Sequence, residues 1–594
     1  MAERTRKKNS ETKVLIKSAP PSPSVTFKIT VVQWFFVLLM MLLALKAVDI
    51  QVFKSTVLEE RARKEYVRWI TVEGKRGDIV DRNMKRLSTT IDTLSLAANP
   101  KEIKDPAKTA AILGPVLGIN TKKLQKQLDG EKSFVWIKRK LSPPETEQVK
   151  ALAIEGIFFK KDVIRFHPRK ALAAQVVGIT GLDGTGLEGV EFGYNDILKG
   201  TSQRISIEKD AVGRYYNEEK NLQDRLKGDT IVLTIDSNIQ FIAEKALKKA
   251  VTGYGGVSGM ALVMRPATGE MLAMAHFPEF NPNSFSQFET ERWRNRSVTD
   301  PFEPGSTMKV FVAAAVLEER LATPQSIFFC ENGRYRVGRS TVKDTHEYDW
   351  LTLKEIIKYS SNIGAIKLAE VMGKKMLYDT MKSFGFGELT NIDCPGDSPG
   401  LLSHYDKWAK IDTAAISFGQ GISVSGVQLL AAVSALANDG MLMRPRIVKE
   451  IISNTGETRQ GFVTEKVRQV VSRETALKVK DMMRSVVEEG GTATQAEIAG
   501  YSVCGKTGTA QKASKTGGYS KTRYTALFAA FAPMTLPELS VLVVVDEPEK
   551  SHYGGVVAAP AAREILAESF HYLKIPPGIA MNNSQLSGNG GYKL

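Results

Sequence analysis

Cysteine is scarce in this sequence. Three occur among 594 residues, Cys330, Cys394 and Cys504, and their spacing matches no metal-binding cysteine pattern. No metal and no organic cofactor is expected. A Cys330–Cys394 disulfide is left open by sequence alone, whereas Cys504, in an apolar stretch beside Lys506, reads as a small buried hydrophobe. A compact basic block is missing too. The formal net charge is +16, yet there is no zinc-finger spacing and no RNA-recognition signature. A positive surface near a membrane explains the charge more simply, and no nucleic-acid partner is expected. Otherwise the composition is ordinary for a globular chain, 43% hydrophobic and 25% charged. The length leaves room for about four domains of ~150 residues, or fewer large ones.

Read in order, residues 1–28 form a basic, proline-containing tail expected to lack ordered structure. The run 29–45 has no charge, and Lys46 can snorkel, so 29–48 is expected to be a transmembrane helix. A cleaved signal peptide fits less well, because no Ala-x-Ala-like site follows before Asp49. The basic flank predicts a cytoplasmic N-terminus, with everything after residue 48 outside the cytoplasmic membrane. Residues 51–68 turn polar in a helical pattern. The charged groups around Arg76–Asp81, Arg165–His167 and Glu188–Glu191 show no nucleophile–base arrangement and read as corners and ion pairs. From residue 230 onward strands and helices are mixed: a strand near 230–236, a helix over 239–250, a hairpin over 259–275, and strands over 501–506, 525–531 and 539–545. The expected class is α/β (mixed α+β), an antiparallel sheet flanked by helices. Residues 576–594 read as a disordered tail.

The stretch that organises this second half is Asp300-Pro-Phe-Glu-Pro-Gly-Ser306-Thr-Met-Lys309. Pro304 and Gly305 break the chain, and the wholly apolar run that follows, 310–317, predicts a buried helix. Ser306 and Lys309, three apart, share a helix face. An amine kept neutral by burial could take the hydroxyl proton and make Ser306 a nucleophile. The spacing alone is weak, since it recurs at Ser10/Lys13, Ser206/Lys209 and Ser340/Lys343. Its companions are stronger: Ser360-Ser-Asn362, then Lys506-Thr507-Gly508 followed by Thr509. A second Lys-Thr-Gly at Lys515 lies in a polar, glycine-rich stretch and is expected to be a loop.

Ser-x-x-Lys, Ser-x-Asn and Lys-Thr-Gly in that order resemble the penicillin-recognising serine acyltransferases. From the membrane segment to about residue 570 the chain resembles the class B penicillin-binding proteins. Arg296-Ser-Val-Thr-Asp300 and Ser417-Phe-Gly-Gln-Gly421 look most like the division-type, FtsI-like members. The resemblance implies a β-rich elongated pedestal over 49–228 and a transpeptidase domain over 229–575. Met84 stands where that family usually has glycine, Met308 replaces a usual aromatic, and Cys504 a usual small residue.

The resemblance further implies a D,D-transpeptidase that cross-links peptidoglycan stem peptides through a serine ester and is acylated by β-lactams, with a septal role in division. In that reading Ser306 attacks, Lys309 is the base, Ser360 relays a proton and Asn362 orients Lys309 and the substrate amide. Lys506 faces the substrate carboxylate with Thr507, Gly508 and Thr509, and the backbone N–H groups of Ser306 and Thr509 form an oxyanion hole. An FtsW-type glycan polymerase and other division proteins are the implied partners, met through the membrane helix and pedestal. An elongation-type cross-linker is the nearest alternative. A β-lactamase lacks support because no dedicated deacylating base is visible, and the intact triple motif argues against an inactive sensor.

Overall fold

The computed structural model describes residues 23–208, 218–514 and 517–577. The basic tail up to residue 22, Lys515 and Thr516 of the second Lys-Thr-Gly, and the tail beyond 577 fall outside the described residues. The chain divides into two compact units, Met1–Val72 with Gln203–Lys220, and Glu73–Ser202 with Asn221–Leu594.

In the first unit an α-helix runs over Pro23–Val48 and passes into a π-helical turn at Asp49–Phe53. Within Thr26–Phe53 an 18-residue window has a mean hydropathy of 2.2, and none of that window is buried in protein. The 28 residues of the whole stretch would reach about 42 Å, enough to cross a bilayer core. Trp34, Phe35, Met40 and Leu42 all stand exposed on it, and a helix apolar on every side has only lipid to bury it. A polar helix, Ser55–Tyr66, follows, as the charge pattern of 51–68 predicts.

The second unit contains two main sheets. One runs in the order Thr458–Gly461, Val448–Ile452, Thr230–Leu233, Ile79–Val80, Arg86–Ala98, Val135–Leu141, with Ile157–Phe166 also paired to Arg86–Ala98. Ile79–Val80 lies parallel to Thr230–Leu233, and the other pairings are antiparallel. One face of its outer end is covered by helices Pro106–Leu117, Thr121–Leu128 and Pro143–Leu152, which bury Leu96, Leu113, Leu124, Ile137 and Val149. The tight turn after Ile79–Val80 places Met84 at φ 62°, a left-handed conformation that costs a side-chain-bearing residue about 1 kcal/mol or more. That is the physical reason a glycine suits this position.

The other sheet is fully antiparallel, in the order Cys504–Ala513, Tyr519–Ala532, Leu539–Asp546, Ser258–Arg265, Glu270–Phe277. Its central strands are buried residue after residue, as in Leu539–Val545, so helices must cover both faces. Helices Ser237–Tyr254, Gly426–Ala437 and Ala559–Leu573 do so. The strands expected over 525–531 and 539–545 are found and reach further, whereas the one expected over 501–506 starts three residues later and runs on to Ala513, because pairing continues past the apolar residues. That strand begins at Cys504, so Lys-Thr-Gly lies inside a strand and not after one. The three cysteines are free and buried; Cys330 and Cys394 form no disulfide.

Candidate active site

The chain leaves Pro304 through a 3-10 turn, Gly305–Met308, and becomes α-helical at Lys309–Glu318. Residues Lys309–Leu317 are all buried, the outcome expected of an unbroken apolar run. Ser306, in the turn, is half-buried and lines a cleft of about 1010 Å³. Its backbone N–H belongs to the first turn, where donors have no intrahelical acceptor. Gly305 sits at φ 53° with the Thr509 carbonyl oxygen 3.0 Å from where a Cβ would lie. At Gly508 a Cβ would meet the Pro304 carbonyl oxygen at 2.8 Å. The two glycines thus let the Lys-Thr-Gly strand lie directly against the turn that bears Ser306.

Ser360 and Asn362 come from the junction of helices Leu353–Tyr359 and Asn362–Ser383. Ser360 adopts the left-handed conformation, φ 62°, which reverses the chain and aims both its carbonyl and its hydroxyl inward. Such strain persists only when the surroundings hold it. Here Asp344 does so: its carboxylate accepts from the Ser361 hydroxyl at 2.5 Å, from the Ile363 N–H at 3.1 Å, and from the Asn362 N–H. It caps the second helix at its positive end. Asn362 is tied further through its Nδ2 to the Lys343 carbonyl at 3.0 Å.

Two lysines meet at this junction. Lys309 Nζ donates to the Ser360 carbonyl at 2.5 Å, to Asn362 Oδ1 at 2.7 Å and to Ser360 Oγ at 3.3 Å. Lys506 Nζ donates to the same Ser360 Oγ at 2.9 Å and to the Thr507 carbonyl at 3.2 Å. Both side chains are fully buried. Burial pulls the Lys309 amine down to about 7, with Asp344 opposing. Burial, and then the neighbouring Lys309 charge, hold Lys506 well below the usual lysine range. Two ammonium groups sharing one hydroxyl in a dry site repel, so at least one proton is shed near neutrality. Ser306 Oγ has no hydrogen-bond partner among the described residues. The shared helix face therefore brings Lys309 near Ser306 without a direct bond, because Ser360 and Asn362 hold the amine.

Thr507 Oγ1 lies 3.2 Å from Thr492 Oγ1, and Thr509 Oγ1 accepts from the Gly554 N–H at 3.3 Å. Ser306, Ser360, Asn362, Thr507 and Thr509 all line the cleft. Of the other Ser-x-x-Lys matches, Ser340/Lys343 falls in a strand, Ser340–Lys343, where a three-residue step puts side chains on opposite faces. Lys209 and residues 10–13 lie outside the described residues. Sequence reasoning missed Asp344, which carries no motif, and the cleft's aromatic wall. There His552 stacks on Tyr524 at 4.3 Å between ring centres and tilts against Tyr553 at 4.3 Å; these residues converge only through sheet register. No cluster of acidic, histidine or cysteine side chains able to hold a metal occurs among the described residues.

Comparison with known proteins agrees with this geometry. Residues 259–567 match the family described as penicillin binding protein transpeptidase domain, and 71–233 the penicillin-binding protein dimerisation domain. The chain is 34% identical to a probable peptidoglycan D,D-transpeptidase, PbpC, of Pseudomonas aeruginosa, over 93% of this chain and 96% of that one. It is 31% identical to peptidoglycan D,D-transpeptidase FtsI of Escherichia coli K12, covering 92% and 93%. The crystal structure of penicillin binding protein 3 from Mycobacterium tuberculosis, complexed with aztreonam, superposes with a TM-score of 0.67 at 28% identity, covering 86% of this chain and 98% of that one. The chain belongs to the penicillin-binding protein transpeptidase family.

Proposed function

We propose that this chain is a peptidoglycan D,D-transpeptidase acting through an acyl-enzyme at Ser306. The observation that supports it most is the pair of buried lysines meeting at Ser360 beside Ser306. In the proposed reaction Ser306 Oγ attacks the carbonyl carbon of the D-Ala–D-Ala peptide bond, and neutral Lys309 receives its proton. The oxyanion is held by the N–H groups of Ser306 and Thr509. Such a donor is typically worth about 10²–10³ in rate. Ser360 passes a proton to the departing amine, D-alanine leaves and a serine ester remains. An amine of a second stem peptide then attacks the ester, yielding the cross-link and returning the proton. Asn362 orients Lys309, while Lys506, Thr507, Gly508 and Thr509 form the seat of the substrate carboxylate, whose charge would restore the ammonium form of Lys506. A β-lactam carries an equivalent carboxylate and acyl group.

One feature separates cross-linking from β-lactam hydrolysis. Asp344 is the one carboxylate among the described residues lining the cleft, and its oxygens are taken by the helix cap. No free carboxylate is left in the cleft to activate water, which favours attack on the ester by an amine.

The helical segment 29–48 is the proposed single membrane anchor, with residues 1–28 cytoplasmic and the catalytic unit outside. The proposed domains are the anchor over 29–48, the pedestal over 49–228, the transpeptidase domain over 229–575 and a tail over 576–594. By analogy with the FtsI relative we propose a septal role and an FtsW-type polymerase partner.

The test is labelling with a fluorescent penicillin. Wild type should be labelled and Ser306→Ala should not, with unchanged circular dichroism. Labelling that persists on the variant would move the nucleophile elsewhere.

A further inference from the structure

The solvent face of the pedestal sheet has an unusual composition. Ala97 is paired on one side with Trp136 and on the other with Phe158, so the three lie in one row on one face. Phe134 stands between the two outer rings, 5.0 Å from Trp136 and 6.0 Å from Phe158. The rings cover Ala97 completely, yet each of them remains 37–39% exposed. One side chain would suffice to shield a methyl group. Three contiguous aromatics left partly in water mark a contact surface more than a lid.

Two cations stand over this row. Lys160 Nζ is 5.1 Å from the Phe134 ring centre and 5.6 Å from that of Trp136, and the Arg139 guanidinium is 5.5 Å from Trp136. Arg139 also pairs with Asp162 at 3.0 Å. Lys160, exposed, has no carboxylate partner among the described residues. The opposite face is closed by the three covering helices, so this face is the open one.

We infer that the row Trp136–Phe134–Phe158, with Lys160 and Arg139, is a docking surface for an anionic glycan strand of peptidoglycan. The inference rests on the reading that the chain acts on peptidoglycan. The surface asks for an occupant with apolar faces and negative charge. Sugar rings present C–H faces that lie against aromatic rings, and the stem peptides attached to them carry carboxylates for Lys160 and Arg139. The ring-to-ring steps of 5.0 and 6.0 Å are each comparable to one sugar unit, so successive residues of a strand can meet successive rings. Held there, a strand would keep its stem peptides close to a membrane-anchored transpeptidase and raise their effective concentration at the cleft.

The experiment is co-sedimentation of the full-length protein in detergent with purified sacculi, after complete acylation by penicillin, so that the cleft cannot contribute. Acylated wild type should pellet with sacculi. Phe158→Thr and Lys160→Glu, both at exposed strand positions, should each weaken binding by about tenfold, with penicillin labelling unchanged. Acylated wild type that stays in solution would overturn the inference. So would variants that pellet like wild type, even if they lost a protein partner in cells, since the face would then serve a protein. Failure of the catalytic reading shows separately, as absence of labelling at Ser306.

Discussion

In the pedestal, Arg76 and Arg165 are buried with Glu191 between them: Arg76 Nε to Oε2 at 2.5 Å, Arg165 Nε to Oε1 at 2.6 Å. Ser88 adds a third donor to the carboxylate at 3.0 Å. Burial alone would raise the Glu191 carboxyl, and Arg165 and Arg76 more than offset it. In the cleft, Lys309 and Lys506 are buried just as deeply, with no carboxylate in either one's hydrogen-bonding shell. The first cluster keeps its charges and holds chain segments together. The second cannot keep both protons, and an amine that sheds its proton near neutral pH is a base. Burial is common to both; charge balance distinguishes structure from chemistry.

The sharpest way to break the contrast is to delete the proposed base, Lys309. Lys309→Met should lower acylation by penicillin by about 10²–10⁴, measured by stopped-flow quenching. It should also alter stability in a pH-dependent way. With the Lys309 pKa near 7 in the fold and its ordinary value of about 10.4 when unfolded, the unfolded chain holds a proton between those pH values that the native one lacks. Wild-type stability therefore gains with rising pH across that window. The variant should lack this gain and compare best with wild type below pH 7 in thermal melts.

The pedestal should respond in the opposite sense. Glu191→Gln leaves two buried guanidinium groups uncompensated and should cost about 3–5 kcal/mol, read from chemical denaturation, while the folded fraction still takes up penicillin. Equal loss of labelling per folded molecule would mean that the pedestal cluster takes part in the chemistry.

Between these lies Asp344, a carboxylate that builds the unbalanced site without neutralising it. Asp344→Asn keeps the shape but weakens the cap that holds Ser360 at φ 62°. Misplacing Ser360 and Asn362 should slow acylation by up to about 10²-fold, with the pH midpoint shifted downward as Lys309 loses the carboxylate that favours its charge. The smallest effect belongs to a strained position outside both clusters. Met84→Gly should leave acylation unchanged and shift stability upward by less than about 1 kcal/mol, the relief of the left-handed backbone being partly offset by glycine's entropy.

Much of this was readable in the sequence because the chemistry is local. Ser306 and Lys309 lie on one turn, the apolar run behind them fixes their burial, and the charge-free run 29–45 announces a membrane helix. Strand existence was legible from apolar runs, but strand ends were not, since pairing carries Cys504–Ala513 through Lys-Thr-Gly into polar residues. What stayed hidden depends on long-range register. Asp344 reaches the Ser360 turn from a separate hairpin, and Tyr524 meets His552 across the sheet. Likewise, Arg76, Arg165 and Glu191 were readable as ion-pair formers but not as one buried cluster.

The central claim, that an unbalanced buried lysine activates Ser306, is tested most directly by the pH dependence of the acylation rate constant with a single penicillin. The rate should rise about tenfold per pH unit at low pH and level off through one ionisation near 7. A midpoint near that of an ordinary lysine, or no dependence on pH between 6 and 9, would contradict the account.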